Sequence, residues 1–129
     1  MSTVSSFEDL EIWQLARQQA IVIFQLCSQE PLYKDFGLKD QINRSSGSVM
    51  DNIAEGFERS GNKEFNNFLL IAKASNGEVR SQLCRIFDRN YIDPEKFEEL
   101  KSNCITLSKK ITSFIKYLKE SDRKGFRYS

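Results

Sequence analysis

The chain has 129 residues, enough for one domain, with 40% hydrophobic and 29% charged residues, a balance that suits a water-soluble globule built around one core. It contains no histidine, which excludes imidazole-ligated zinc, Ser-His and Cys-His triads and imidazole acid–base chemistry. The net charge of +1 hides a gradient, since residues 1–100 carry 11 Lys/Arg against 16 Asp/Glu and residues 101–129 carry eight against two.

No apolar run is longer than that from Ala20 to Phe24, which is far below the roughly 18 residues a membrane span needs. The segment Met1 to Ser6 has no basic stretch leading into an apolar one, so a cytoplasmic protein without a secretory signal is expected. Cys27, Cys84 and Cys104 are odd in number and widely spaced, and each falls in an apolar helical stretch; they are expected to be buried, reduced thiols. No phosphate-binding glycine motif occurs, and no cofactor, metal or small-molecule substrate is expected.

Only two prolines and six glycines punctuate the chain, and apolar residues recur at three-and-four spacing, so all-α structure is predicted. Helix one should run from Phe7 to Ser28, capped by Ser6, with Glu8, Asp9 and Glu11 at the positive end of its dipole. It should end at Glu30-Pro31, because a residue before proline resists helical geometry. Twelve of the eighteen residues from Leu10 to Cys27 are apolar, wider than one bundle stripe, so a subunit interface on Ile12, Leu15, Val22 and Leu26 is expected.

Helix two is predicted over Leu38 to Glu58, with Ile42, Ser46, Val49, Ile53 and Gly56 or Phe57 inward, and helix three over Lys63 to Arg89, with Phe65, Phe68, Ala72, Ser75, Val79, Gln82 or Leu83, and Ile86 inward. Helix four opens with an Asp93 cap and Pro94 at its first position. Phe97, Leu100, Cys104, Leu107, Ile111, Phe114 and Leu118 then follow unbroken 3-4 spacing. Trp13, Phe24, Phe65, Phe68, Phe97 and Phe114 are read as packing residues. Short turns force neighbours antiparallel, giving an up-down-up-down four-helix bundle over residues 1–120, followed by a mobile basic tail at 121–129.

Several stretches carry a family resemblance: Phe7-Glu-Asp-Leu-Glu-Ile-Trp-Gln-Leu-Ala16, Gly37-Leu-Lys-Asp-Gln-Ile-Asn-Arg44, Ser48-Val-Met-Asp-Asn-Ile-Ala-Glu-Gly56 and Glu64-Phe-Asn-Asn-Phe-Leu-Leu-Ile-Ala72, with Ser75 and Glu78 beyond. Together they resemble the four helix bundle proteins, also called the 23S ribosomal RNA intervening-sequence proteins, over about residues 7–118. Where that family usually has small apolar residues after the arginine, this chain has Ser45-Ser46, and Ala74-Ser75 stands where Gly-Ser is usual. The resemblance implies an antiparallel bundle that assembles as a ring, typically a homopentamer. It also implies kinship with accessory proteins of retroelements that contact nucleic acid and a reverse transcriptase.

Two polar constellations remain. Arg44, Ser48, Asp51 and Glu55 form one helical stripe, and folding helices two and three back around residue 61 sets Arg44 level with Glu78. A structural network of Arg44, Asn52, Glu55, Ser75 and Glu78 is therefore expected, centred on an Arg44–Glu78 pair, because buried charges come paired. Lys101, Lys109, Lys116, Lys119 and Arg123 share a stripe roughly 80° wide on helix four, and Lys124 and Arg127 extend it, interleaved with Phe126 and Tyr128. Such cations pair with phosphates, so a non-enzymatic bundle contacting RNA or DNA is the leading expectation. A protein–protein adaptor without nucleic-acid contact is the alternative.

Overall fold

The structure, a computed structural model, describes residues 4–123, the Arg123 side chain excepted. Four helices follow one another as α1 (Glu11–Cys27), α2 (Phe36–Phe57), α3 (Asn62–Asp88) and α4 (Pro94–Arg123). The antiparallel register is visible in side-chain bonds. Asn62 Nδ2 donates to the Leu118 carbonyl and Asn76 Nδ2 to that of Cys104, so fourteen residues forward on α3 match fourteen back on α4. No helix of the described residues is long and apolar enough to cross a membrane.

Helix α1 starts four residues later than predicted. Leu10 adopts an extended backbone (φ −78°, ψ 129°), and Phe7–Asp9 form a separate 3-10 turn in which the Ser6 side chain accepts from the Glu8 N–H. The break lets Phe7 place its ring 5.2 Å from Trp13, edge to face, so Glu8 and Asp9 charge the turn rather than the first turn of α1. Between α1 and α2 a 3-10 turn, Leu32–Lys34, buries Leu32, and Asp35 caps α2 through the Leu38 N–H. Gly61 sits at φ 101° before α3, a conformation side chains resist, which explains a glycine there. Asp93 Oδ1 accepts from the Lys96 N–H at 2.7 Å, and Pro94 opens α4.

The core is the predicted one with local shifts. Ile42, Ile53, Leu69, Leu83 and Ile111 are fully buried, each such side chain contributing roughly 1.5–3 kcal/mol. Leu83 is fully buried, and Gln82 beside it is half-buried with its Oε1 shielded from solvent. On α4 the strict 3-4 alternation yields at one point, where Ile115 is buried and Phe114 only half-buried against Phe65 and Tyr117. A straight helix drifts from a 3.5-residue repeat, and one four-residue step corrects it. The same stripe continues to Ser121, which is buried, so the bundle runs three residues beyond the predicted limit of Glu120. Residues 124–129 of the predicted tail lie outside the described residues.

Two expectations fail on burial. Phe24 is 66% exposed, because one residue past the buried Ile23 turns it onto the outer flank of α1. Cys84 is likewise exposed beside buried Leu83, whereas Cys27 and Cys104 are buried and all three are free thiols. Burial pushes Cys27 up to about 11 and Cys104 up to about 12, keeping both protonated.

The four interfaces differ. Helices α2 and α3 pack most closely and α1 and α4 least. The close pair depends on Gly56, where an added Cβ would lie 2.8 Å from Phe68 Cβ and 2.9 Å from Phe65 Cδ1. Across the α3–α4 turn the Phe87 and Phe97 rings stack with centroids 4.4 Å apart.

Candidate nucleic-acid interface

The basic stripe on α4 divides into parts. Lys109, Lys116 and Lys119 are exposed and enter no ion pair among the described residues. Lys101 lies down instead, its ammonium 5.6 Å from the Phe97 ring centroid and 4.0 Å from Glu98. Lys110, outside the stripe, reaches Glu11 of α1 at 3.3 Å. Near the end of α4, Lys116 and Lys119 share a shallow surface with Glu120 and Asp122, which lowers the local positive potential. The Arg123 side chain, Lys124 and Arg127 lie outside the described residues.

The predicted polar network is present in part, with a different centre. Ser48 and Ser75 hydroxyls share a 2.9 Å hydrogen bond between α2 and α3, and Asn52 Nδ2 donates to the Ser48 carbonyl at 2.8 Å and its hydroxyl at 3.0 Å. Arg44 and Glu78 are both exposed and do not pair with each other, and Glu55 pairs at 3.1 Å with Arg59, two residues past the end of α2. Folding back around residue 61 places the levels correctly, as Ser48–Ser75 shows, but the helix rotation turns the long charged side chains outward. Water solvates them there at less cost than a buried pair would carry.

Two polar clusters have no counterpart among the sequence expectations. Asn76, 1% exposed, donates to the Cys104 carbonyl at 2.8 Å and accepts from Gln19 Nε2 at 3.0 Å, while the Cys104 thiol donates to Gln19 Oε1 at 3.2 Å. This closed loop rivets α1, α3 and α4. Its signal in the sequence is an amide standing between Ala72 and Val79 at core spacing. At one end of the bundle, Asp35 Oδ2 accepts from Arg89 Nη1 at 2.5 Å and from the Tyr91 hydroxyl at 2.9 Å. The Tyr91 hydrogen bond, followed by Arg89, holds the Asp35 carboxyl below its usual range.

Two of the four interface candidates on α1 lie in the chain's own core and two at a cleft on its surface. Ile12 and Leu26 are core residues, because the wide apolar surface of α1 faces two neighbouring helices at once. Leu15 and Val22 are half-buried and line a cleft of ≈ 260 Å³ between α1 and α4. Among the described residues the large apolar side chains most open to solvent are others: Ile21, Phe24, Tyr33, Phe36, Leu70 and Ile71. Among the described residues no three His, Cys, Asp or Glu side chains gather as a metal site requires.

The fold and its riveted seams define an antiparallel four-helix bundle of the all-α class. The profile of the 23S rRNA-intervening sequence protein family matches residues 8–113, and the chain belongs to that family. Its fold is similar to the crystal structure of a protein with unknown function from the S23 ribosomal protein family of Bacteroides thetaiotaomicron VPI-5482, with TM-score 0.74 and 26% sequence identity over 81% of this chain and 98% of that one. None of the curated proteins matches the chain.

Proposed function

We propose that this protein is a non-enzymatic, self-assembling cytoplasmic scaffold that offers the lysines of α4 to the phosphates of RNA or DNA. The observation that carries the reading is the line of three exposed ammonium groups, Lys109, Lys116 and Lys119, on the face of α4 away from the core, which enter no ion pair among the described residues. Three phosphates neutralised per chain give weak binding, and a ring of five copies, as the resemblance implies, multiplies them through effective concentration. The family's name supports a ribosomal RNA context. No histidine is available for acid–base work, and the carboxylate of Glu55 is engaged by Arg59.

The test is a titration of structured RNA and duplex DNA at several salt concentrations, with the intact protein, a chain ending at Arg123, and the triple variant Lys109→Glu/Lys116→Glu/Lys119→Glu. For every duplex phosphate that a variant no longer neutralises, the log–log salt slope should shrink by about 0.9. Absence of binding by the intact protein at low salt would remove the nucleic-acid reading. The exposed rings of Phe24 and Phe36 favour a second reading, a protein–protein scaffold, which that result would leave standing.

A further inference from the structure

We propose that the cleft between α1 and α4 takes up one unpaired purine base of a nucleic-acid strand whose phosphates run along the lysines of α4. The inference rests on the phosphate-contact reading and names what the strand must present to the same face. Because α1 and α4 pack most loosely, the cleft opens between Leu15 and Val22 on one side and Leu100 and Leu107 on the other. Its volume is ≈ 260 Å³. A cavity of ~150 Å³ accommodates benzene, so this one has room for roughly ten non-hydrogen atoms, the size of a purine with its exocyclic group. No charged residue lines it, so the cleft suits the neutral part of a nucleotide and offers nothing to the phosphate.

The polar groups are arranged at two depths. Farther in, Gln19 is committed on both sides, donating to Asn76 at 3.0 Å and accepting from the Cys104 thiol at 3.2 Å, which fixes that wall in place. At the mouth, Gln18, Asn103 and Thr106 are exposed, and their side chains enter no hydrogen bond among the described residues. A side-chain amide sets a donor beside an acceptor, the pattern that meets N6 and N7 of adenine. Opposed apolar walls hold an extruded base by its faces while such groups read its edge.

The phosphate track begins next to this mouth. Lys109 follows Thr106 by three residues, about 4.5 Å along the helix and about 60° around it. Lys116 and Lys119 continue the line toward the end of α4. Charge is therefore distributed as in a nucleotide, with a neutral recess for the ring and ammonium groups beside it for the backbone. A base stacked and paired inside a duplex cannot enter such a recess, so the strand must be single at that point.

Fluorescence anisotropy with two short single-stranded RNAs of equal length tests this, one all uridine and one with a single central adenine. Both carry the same phosphates, so a difference between them comes from the base. Wild type should bind the adenine strand about fivefold more tightly, the low end for one base because the walls are aliphatic. Val22→Phe fills the cleft from a half-buried position, and Gln18→Leu/Asn103→Leu removes the amides at two exposed positions. Both variants should keep the wild-type circular dichroism and salt slope, and both should lose the preference for adenine. Lys109→Glu/Lys116→Glu/Lys119→Glu should do the reverse, lowering affinity and slope for both strands while the ratio between them persists. Equal wild-type affinity for the two strands, or a preference that survives in Gln18→Leu/Asn103→Leu, would overturn the cleft as a base site and leave the phosphate contacts intact. Adenosine monophosphate competing as well as the adenine strand would overturn a strand as the occupant. No binding of either strand at low salt would remove the phosphate reading, and this inference with it.

Discussion

The side-chain amide of Asn76 lies 2.8 Å from the Cys104 carbonyl across the α3–α4 seam, and its oxygen simultaneously receives Gln19 from α1. One buried residue therefore touches three of the four helices in polar fashion. Replacing it by alanine strips Gln19 of its acceptor and leaves a gap in the core. Asn76→Ala is expected to cost about 1–3 kcal/mol, read as a lower urea midpoint at unchanged m-value.

The glycines of α2 should respond in opposite directions. At Gly56 a new methyl group meets Phe68 Cβ and Phe65 at under 3 Å, so Gly56→Ala should destabilise by about 1–3 kcal/mol through forced separation of α2 and α3. At Gly47 a Cβ meets nothing within 4 Å, and helix propensity alone should make Gly47→Ala about 0.5–1 kcal/mol more stable. Equal effects in parallel denaturation curves would contradict the close α2–α3 approach.

Asp35 links stability to acid. Its carboxyl titrates below its ordinary value of 3.8 because Tyr91 and Arg89 favour the ionised form. The sign follows: the stabilisation is fully present above the unfolded value and disappears as pH falls through the lower folded value. Tyr91→Phe removes the larger cause. Melting temperatures followed downward from about pH 6 should therefore show the gap between wild type and Tyr91→Phe narrowing in the acid range. A gap constant with pH would sever Asp35 from this role.

Thiol reactivity should separate the cysteines. Thiolate is the reactive form, and burial raises Cys27 to about 11 and Cys104 to about 12 while shielding them sterically. Mass spectrometry after brief alkylation of the native protein should find label on the exposed Cys84 first. All three should react in denaturant. Rapid native labelling of Cys104 would mean that the Gln19–Asn76–Cys104 loop opens readily.

What could be read from the sequence was whatever repeats along one helix. The stripe from Phe97 to Leu118, the Asp93-Pro94 start and the antiparallel order all follow from local spacing and turn chemistry. What could not be read depended on helix rotation or on the meeting of distant loops. Arg44 and Glu78 stand at matching levels, yet a modest turn about each axis sends both into water. Asp35, Arg89 and Tyr91 meet only because two connecting segments end at the same pole, and no spacing encodes that. Nor does residue type tell an exposed Phe24 from a buried Ile23, since both are apolar and adjacent on the chain.

The inequality between the tight α2–α3 seam and the loose α1–α4 one makes the molecule resemble a book with a stiff spine and two hinged covers. Backbone amides of the spine should outlast those of the covers in hydrogen exchange, because separating the covers leaves the spine's packing whole. A guest entering from the fore-edge would then shift the covers and spare the binding.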